Sequence, residues 1–485
     1  MLAPWVIEEM ETADLGDKRL NKRLAQVLSA FAERPTASIP AACGGHAEMM
    51  AAYRLFDNDK VTFAKILQSH VDKTLVRVAA QPIALLVQDT TEIDLTHPEL
   101  DVAGAGPLAE ASRRGVFLHP LHAFTPDGTP LGTAWAKVWA REDEPDLTQA
   151  QKRKRRKAAP IEEKESVRWL EGLRAGRGVA EVAPETTCVC ISDSESDIYE
   201  LFVEPRQGVT GQPVEWLVRA CQDRGLIATE AASETARLRD AALAAPVLFT
   251  QEISVRGRTP KTACDDRARR QARRDRKAFV SIRATAVTLR PPARPGQKLP
   301  PVTVNLVLVR EEAPPEGEEP IEWLLVTTIS IETTEHVRSI IAYYTVRWMI
   351  ELLFRTLKSG CRVEKRRFEH VDRLLPCVAL YLIVAWRTLL VCRMGRSCPD
   401  ISCEAIFEPA EWQSVYVTVQ KKPIPTEPPS LETMVRLIAQ LGGYVNRANR
   451  KDPPGVQTIW LGMQRMQDLA LGWVSFGPGA RAKLM

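Results

Sequence analysis

Residues 343–358 read Tyr-Tyr-Thr-Val-Arg-Trp-Met-Ile-Glu-Leu-Leu-Phe-Arg-Thr-Leu-Lys, a stretch that only a helix can organise. Tyr344, Arg347, Glu351 and Lys358 are separated by three, four and seven residues. At roughly 100° per residue they fall within about 60° of one another on one helix face. Ala342, Val346, Met349, Ile350, Leu353 and Leu357 take the opposite side, with Trp348, Leu352 and Phe354 on the flanks. A helix apolar around most of its circumference is expected to be buried, so its charges need partners. A carboxylate set between basic residues fits an internal ion pair. The functional alternative makes Glu351 a metal ligand, with Tyr344, Arg347 and Lys358 gripping phosphates. What lies upstream decides between the two.

Two apolar strands upstream end in an acid. Ile83-Ala-Leu-Leu-Val-Gln runs into Asp89, and Thr186-Thr-Cys-Val-Cys-Ile-Ser runs into Asp193, as buried central strands read. Carboxylates at two strand tips and one on a packed helix can converge on one point. Three oxygen donors without cysteine or histidine favour a hard cation, Mg²⁺ or Mn²⁺. Two such ions about 3.5 to 4 Å apart would activate an attacking oxygen and stabilise a leaving one at phosphorus. Each aspartate alone would read as a cap or turn residue. His119 and His122, on an expected strand, read as core or surface histidines rather than ligands.

Residues 1–75 are expected to be helical, and Lys18, Arg19, Lys22 and Arg23 share one side of a helix behind the Asp14-Leu-Gly-Asp start. Such a face is either solvated or suited to a phosphate backbone. Val116–Phe124 and Leu131–Trp139 read as a hairpin turned at Pro126-Asp-Gly. The run Lys152-Arg-Lys-Arg-Arg-Lys157 reads as a solvated loop before a helix at about 162–175. Ile198-Tyr-Glu-Leu-Phe begins a helix, and Glu215–Arg219 is a further strand. From about 225 to 325 the texture changes to an insertion of β character, with a basic stretch from Arg256 to Lys277 and strands at Val280–Leu289, Val302–Val309 and Trp323–Thr328. Helices are expected thereafter, with a proline-rich linker at 422–429 and a last helical unit near 430–475.

Charge is nearly balanced, 65 Lys and Arg against 61 Asp and Glu, so clustering matters more than the sum. Ten cysteines show no CxxC pair and no zinc-finger spacing, which points to a reducing compartment. There is no signal-peptide pattern and no run of 18 apolar residues, so a soluble, cytoplasmic chain with no membrane partner is expected.

The spacing Tyr344, Arg347, Glu351, Lys358 is that of the Tyr-(2)-Arg-(3)-Glu-(6)-Lys signature, and the chain resembles the insertion-sequence-four family of bacterial DDE transposases, similar to the transposon-five transposase. Leu15-Gly-Asp-Lys-Arg19 and Ala52-Tyr-Arg-Leu-Phe56 resemble that family's end-recognition domain, and Gln88-Asp-Thr-Thr91 its first catalytic-acid motif. Glu163-Lys-Glu-Ser and Trp169-Leu are similar to its helix before the second acid. Asp193-Ser-Glu-Ser-Asp-Ile198 resembles the Asp-Arg-Glu-Ala-Asp-Ile pattern, with Ser194 in place of arginine. Leu437–Tyr444 and Ile459–Gly462 resemble the dimerisation region.

The resemblance implies an α/β, ribonuclease-H-like (retroviral-integrase-like) core with a β-rich insertion, flanked by helical terminal domains. By it, residues 1–75 bind transposon ends, 76–370 form the catalytic core and 371–485 the dimerisation region. It implies catalytic and metal-binding roles for Asp89, Asp193 and Glu351, with two Mg²⁺ ions for which Mn²⁺ substitutes. Arg219, Tyr344, Arg347 and Lys358 would contact end phosphates, and Trp323 would receive a flipped base when the end folds into a hairpin; a core tryptophan is the alternative. Partners would be the double-stranded inverted-repeat ends, target DNA and a second copy of the chain in a homodimeric synaptic complex, in a bacterial, nucleoid-associated setting. Two other readings are a catalytically silent DNA-binding regulator, which has no use for a metal triad, and a stand-alone metal-dependent nuclease, which leaves Trp323 and the dimer-like tail without a task.

Overall fold

The structure is a computed structural model that describes residues 2–97, 99–110, 112–143, 148–227, 236–255, 275–294, 298–445 and 453–478. Most of the basic stretch from Arg256 to Lys277 lies outside the described residues. The fold is mixed α/β and divides into two compact units. One comprises Met1–Leu147, Val182–Thr186 and Trp348–Met485; the other comprises Thr148–Glu181 and Thr187–Arg347.

The first unit opens with helices α1 (Pro4–Glu9), α2 (Lys18–Glu33), α3 (Ile39–Cys43), α4 (His46–Phe56) and α5 (Phe63–Ala79), so the expected helical N-terminus is present. Strands β1 (Ile83–Gln88), β2 (Thr91–Asp94), β3 (Gly106–Pro107), β4 (Arg114–Phe124) and β5 (Pro130–Trp139) follow. The expected hairpin is β4 and β5, paired antiparallel, and its turn needs Gly128 at a φ of 84°, which a side chain would strain. β4 also pairs antiparallel with β1, from Leu85 opposite Phe124 to Gln88 opposite Leu121.

In the second unit, α6 (Gln149–Ala158) and α7 (Val167–Val182) lead into β6 (Thr187–Ser192), α8 (Tyr199–Val203), β7 (Glu215–Arg219), α9 (Leu238–Ala244) and β8 (Val247–Val255). β9 (Arg276–Leu289), β10 (Val302–Glu311), β11 (Glu322–Thr327) and α10 (Thr334–Val346) complete it. The strand order there is β6, β7, β11, β10, β9, β8; β6 and β7 run parallel and the other neighbours antiparallel. Two differences from expectation stand out. β8 is additional, because its alternation is weak: it is an edge strand exposed at most positions. Residues 152–157 are helical rather than a loop, since the side chain of Thr148 and that of Gln151 cap each other's backbone at the start of α6.

The first unit resumes with α11 (Trp348–Arg355), a π-helical turn at Thr356–Gly360, then α12 (Val371–Ser397), α13 (Pro409–Gln420), α14 (Leu431–Leu441) and α15 (Val456–Phe476). α12 is the core of this unit. By length and composition it could cross a membrane, its best 18-residue stretch having mean hydropathy 2.1, but 83% of that stretch is buried inside the fold. Arg387 and Arg393 interrupt the apolar residues, which is why no uncharged run marks it in the sequence. Tyr381 of α12 stacks on Phe31 of α2 at 4.6 Å, and the buried face of α14, from Leu431 to Ala439, packs on the same core.

A buried polar network ties the N-terminus into this unit. The two terminal guanidinium nitrogens of Arg77 reach Glu9 at 3.0 Å, and His70 Nδ1 lies 2.5 Å from the same carboxylate. The Thr133 N–H donates to His70 Nε2 at 2.9 Å, so that nitrogen carries no proton and the imidazole is neutral. Burial lowers the His70 pKa against the pull of Glu9. For Glu9, burial raises the pKa, but His70 and Arg77 outweigh it and hold the carboxyl at about 2.

Candidate active site

The organising stretch is not one uninterrupted α-helix. α10 ends at Val346, the Arg347 N–H turns back to the Tyr344 carbonyl at 3.2 Å, and α11 starts at Trp348. A second irregularity follows Arg355, where the Cys361 N–H reaches the Thr356 carbonyl at 2.8 Å and closes the π turn. Gly360 lies against Trp460, and a Cβ there would sit 3.2 Å from the indole. Lys358 lies within this π turn, where the step of roughly 100° per residue no longer holds, and such turns are frequent at functional sites. The expected all-round burial fails too: Trp348 is 56% exposed and Ala342 is exposed.

In the second unit, five of the expected site residues come together. Asp193 sits just past the end of β6, where its carboxylate accepts from the Glu195 N–H at 2.9 Å and caps a short turn. Arg219 ends β7 exposed, opposite Leu325 of β11. Trp323 lies two positions before Leu325, hence on the same sheet face as Arg219. Its indole is half-buried, not sealed in the core, and meets the Tyr344 ring edge to face at a centroid distance of 5.7 Å. Burial raises the Tyr344 pKa; Arg347 and Arg219 pull it down, and Asp193 pushes it up. All three charges are thus within electrostatic reach of the phenol, which stays a protonated hydrogen-bond donor at neutral pH.

One contributor carries no sequence signal beyond its place in the Asp193-Ser-Glu-Ser-Asp pattern. The buried carboxylate of Asp197 accepts from the N–H groups of Cys221 and Gln222, each at 2.7 Å, and from Arg224 at 2.5 Å and 3.0 Å. It thereby clamps the Asp193 turn to the segment leaving Arg219.

In the first unit, Asp89 follows the last residue of β1 and is partly buried, its carboxylate accepting from the Thr90 N–H at 2.7 Å. Thr90 in turn meets His119 Nδ1 at 2.8 Å, and His119 Nε2 meets Gln88 at 3.2 Å. His119 and His122 are both fully buried core residues of β4. Burial, with His70 and Arg77 nearby, drives the His122 pKa far down. Glu351 lies in the first turn of α11, half-buried. Lys358 reaches Glu364 at 3.6 Å. Lys18, Arg19 and Lys22 are exposed on the first turns of α2 and Arg23 is half-buried; Arg19 is held by Asp17 at 3.1 Å. Among the described residues no group of three or more His, Cys, Asp or Glu side chains forms a ready-made metal cage.

Comparison with known proteins gives three family matches in chain order. Residues 2–61 match the family described as transposase DNA-binding, 207–375 the transposase DDE domain, and 383–475 the transposase Tn5 dimerisation domain. The DDE match spans Arg219, Trp323, Tyr344, Arg347, Glu351 and Lys358. Among solved structures, the chain is similar to one described as a cryo-EM structure of the piggyBac transposase synaptic complex with hairpin DNA. Identity is 11%, coverage is 82% of this chain and 73% of that one, and the TM-score of 0.36 is too low to argue a fold from. The DNA-binding, DDE and Tn5-type dimerisation regions, in that order on one chain, place it among the Tn5-like DDE transposases: it belongs to that family and is a DNA transposase.

Proposed function

We propose that the chain acts as a homodimer that cuts DNA at the inverted-repeat ends of a bacterial insertion element of the insertion-sequence-four type and joins the freed 3′ ends to target DNA inside the cell. In this reading residues 1–75 hold the ends, a ribonuclease-H-like core within 76–370 carries the chemistry, and 371–485 pairs the protomers. The observation that carries it is the cluster of Asp193, Arg219, Trp323, Tyr344 and Arg347 in the second unit, where a carboxylate and two guanidinium groups act electrostatically on a phenol that packs edge to face on a half-buried indole.

Asp89, Asp193 and Glu351 offer only carboxylate oxygens, a donor set that fits a hard divalent cation such as Mg²⁺ or Mn²⁺. When bound, a pair of such ions would neutralise charge on the attacking and leaving oxygens of an in-line displacement. Arg219, Arg347 and Lys358 orient phosphates, and the Tyr344 hydroxyl donates to a phosphate oxygen. Trp323 offers its half-buried face to a base that leaves the stack as a hairpin closes. The 3′ hydroxyl freed by first-strand hydrolysis attacks a phosphorus of the opposite strand and displaces its bridging oxygen to close the hairpin, so the protein positions the groups and forms no covalent link to DNA.

Replacing Glu351 by Gln, or Asp89 by Asn, tests this directly. End binding should survive in a gel-shift assay while cleavage in Mg²⁺ is lost; cleavage by either variant at the parental rate rejects the assignment.

A further inference from the structure

Helix α6 has no part in the chemistry above, yet it concentrates charge: residues 152–157 are six consecutive lysines and arginines. Among its described side chains none is buried, and Arg153, Lys154 and Arg155 are exposed with no ion-pair partner among the described residues. Its described side chains therefore draw nothing from tertiary packing. Every three- or four-residue spacing within the run pairs like charges, each costing about 0.2–0.5 kcal/mol. What starts the helix is its cap: the Gln151 N–H donates to the Thr148 hydroxyl at 3.3 Å, and the Thr148 N–H to the Gln151 side chain at 2.9 Å.

We propose that α6 docks the phosphate backbone of duplex DNA flanking the site of cleavage, independently of sequence. Successive side chains step by roughly 100° around the axis, so Arg153, Lys154 and Arg155 present positive charge in several directions at once. Such a helix cannot read base edges but matches a duplex carrying one phosphate per about 1.7 Å. The segment Gln-Ala-Gln-Lys-Arg-Lys-Arg-Arg-Lys-Ala contains no aromatic residue on which an unpaired base could stack, and no large apolar residue to anchor a protein partner.

Its place in the chain fits. Ten residues beyond Ala158, Arg168 of α7 is held to Glu195 at 2.8 Å, inside the turn that Asp193 caps. Ten residues span at most about 35 Å, which is about one helical turn of duplex. The end of α6 therefore lies within one duplex turn of Arg168, close enough for DNA held at the Asp193 cluster to reach it as well. This inference rests on the chain's acting on duplex DNA, not on the hairpin or the metal triad.

The test is the full-length triple variant Arg153→Gln, Lys154→Gln, Arg155→Gln, titrated with duplex DNA that lacks element ends, between about 50 and 200 mM salt. The slope of log affinity against log salt should shrink by up to about 2.7, at about 0.9 per lost phosphate contact. The conservative variant Arg153→Lys, Arg155→Lys should keep the parental slope. Cleavage of end DNA already bound should stay at the parental rate. A parental slope in the triple variant overturns the proposal, and so does a slope lowered equally in the conservative variant. Lost end cleavage with the slope unchanged also overturns it, while leaving the duplex-cutting reading intact.

Discussion

Trp323 on strand β11 and Tyr344 on helix α10 meet edge to face, ring centroids 5.7 Å apart and ring planes at 60°. The contact couples a candidate base platform to a candidate phosphate ligand, since the same tyrosine lies within electrostatic reach of Asp193, Arg219 and Arg347. A base stacked on the indole would thus be held next to the phosphate grip rather than apart from it.

Trp323→Ala should slow hairpin closure by about one to two orders of magnitude, the equivalent of the ~1–3 kcal/mol that stacking on an aromatic contributes. First-strand nicking should change little. Single-turnover assays on labelled ends separate the two steps, and equal slowing of both removes the base-platform role.

Asp197→Asn keeps the shape of the buried clamp and removes its charge, leaving Arg224 without an anionic partner. Cleavage should fall while end affinity holds, because Asp197 acts by fixing the Asp193 turn against the segment after Arg219. Restoring opposite charge in the pair, as Asp197→Glu, should recover part of the rate. Parental cleavage by the asparagine variant would show that the clamp is dispensable.

On α2 the four basic residues are not equivalent. Lys18 and Lys22 are exposed, Arg23 is half-buried, and Arg19 folds back on Asp17. Alanine at Lys18 and Lys22 should each lower the salt slope of end binding by about 0.9, with a smaller effect at Arg19. A gel-shift series in salt with parental slopes for both lysine variants would leave them as a solvated face.

Acid should weaken the first unit in two stages. The folded state holds His70 neutral and its pKa below the ordinary 6.5, so the unfolded chain binds more protons and stability falls as pH drops below about 6.5. Glu9, held at about 2 against an ordinary 4.5, adds roughly 3 kcal/mol that is present above pH 4.5 and lost as pH falls toward 2. Chemical denaturation at a series of pH values, comparing the parent with Glu9→Gln, checks this. The stability gap between them should narrow as pH falls through 4.5, and a constant gap refutes the assignment.

The sequence by itself determined the local elements whose signals are covalent or short-range. Apolar runs ending at Asp89 and Asp193 became β1 and β6 because a short, largely apolar run marks a buried strand without reference to any distant partner, and the hairpin followed from its Pro-Asp-Gly turn. The spacing of Tyr344, Arg347, Glu351 and Lys358, together with the further motifs in chain order, carried the resemblance to the family. Tertiary structure alone decided the rest. Trp460 packs on Gly360 at the π turn that holds Lys358, and Trp348 is exposed although the run around it is largely apolar. Neither the Asp197 clamp nor the meeting of Trp323 with Tyr344 has a periodicity to reveal it, because each joins segments that only strand pairing and helix packing bring within hydrogen-bond or van der Waals range.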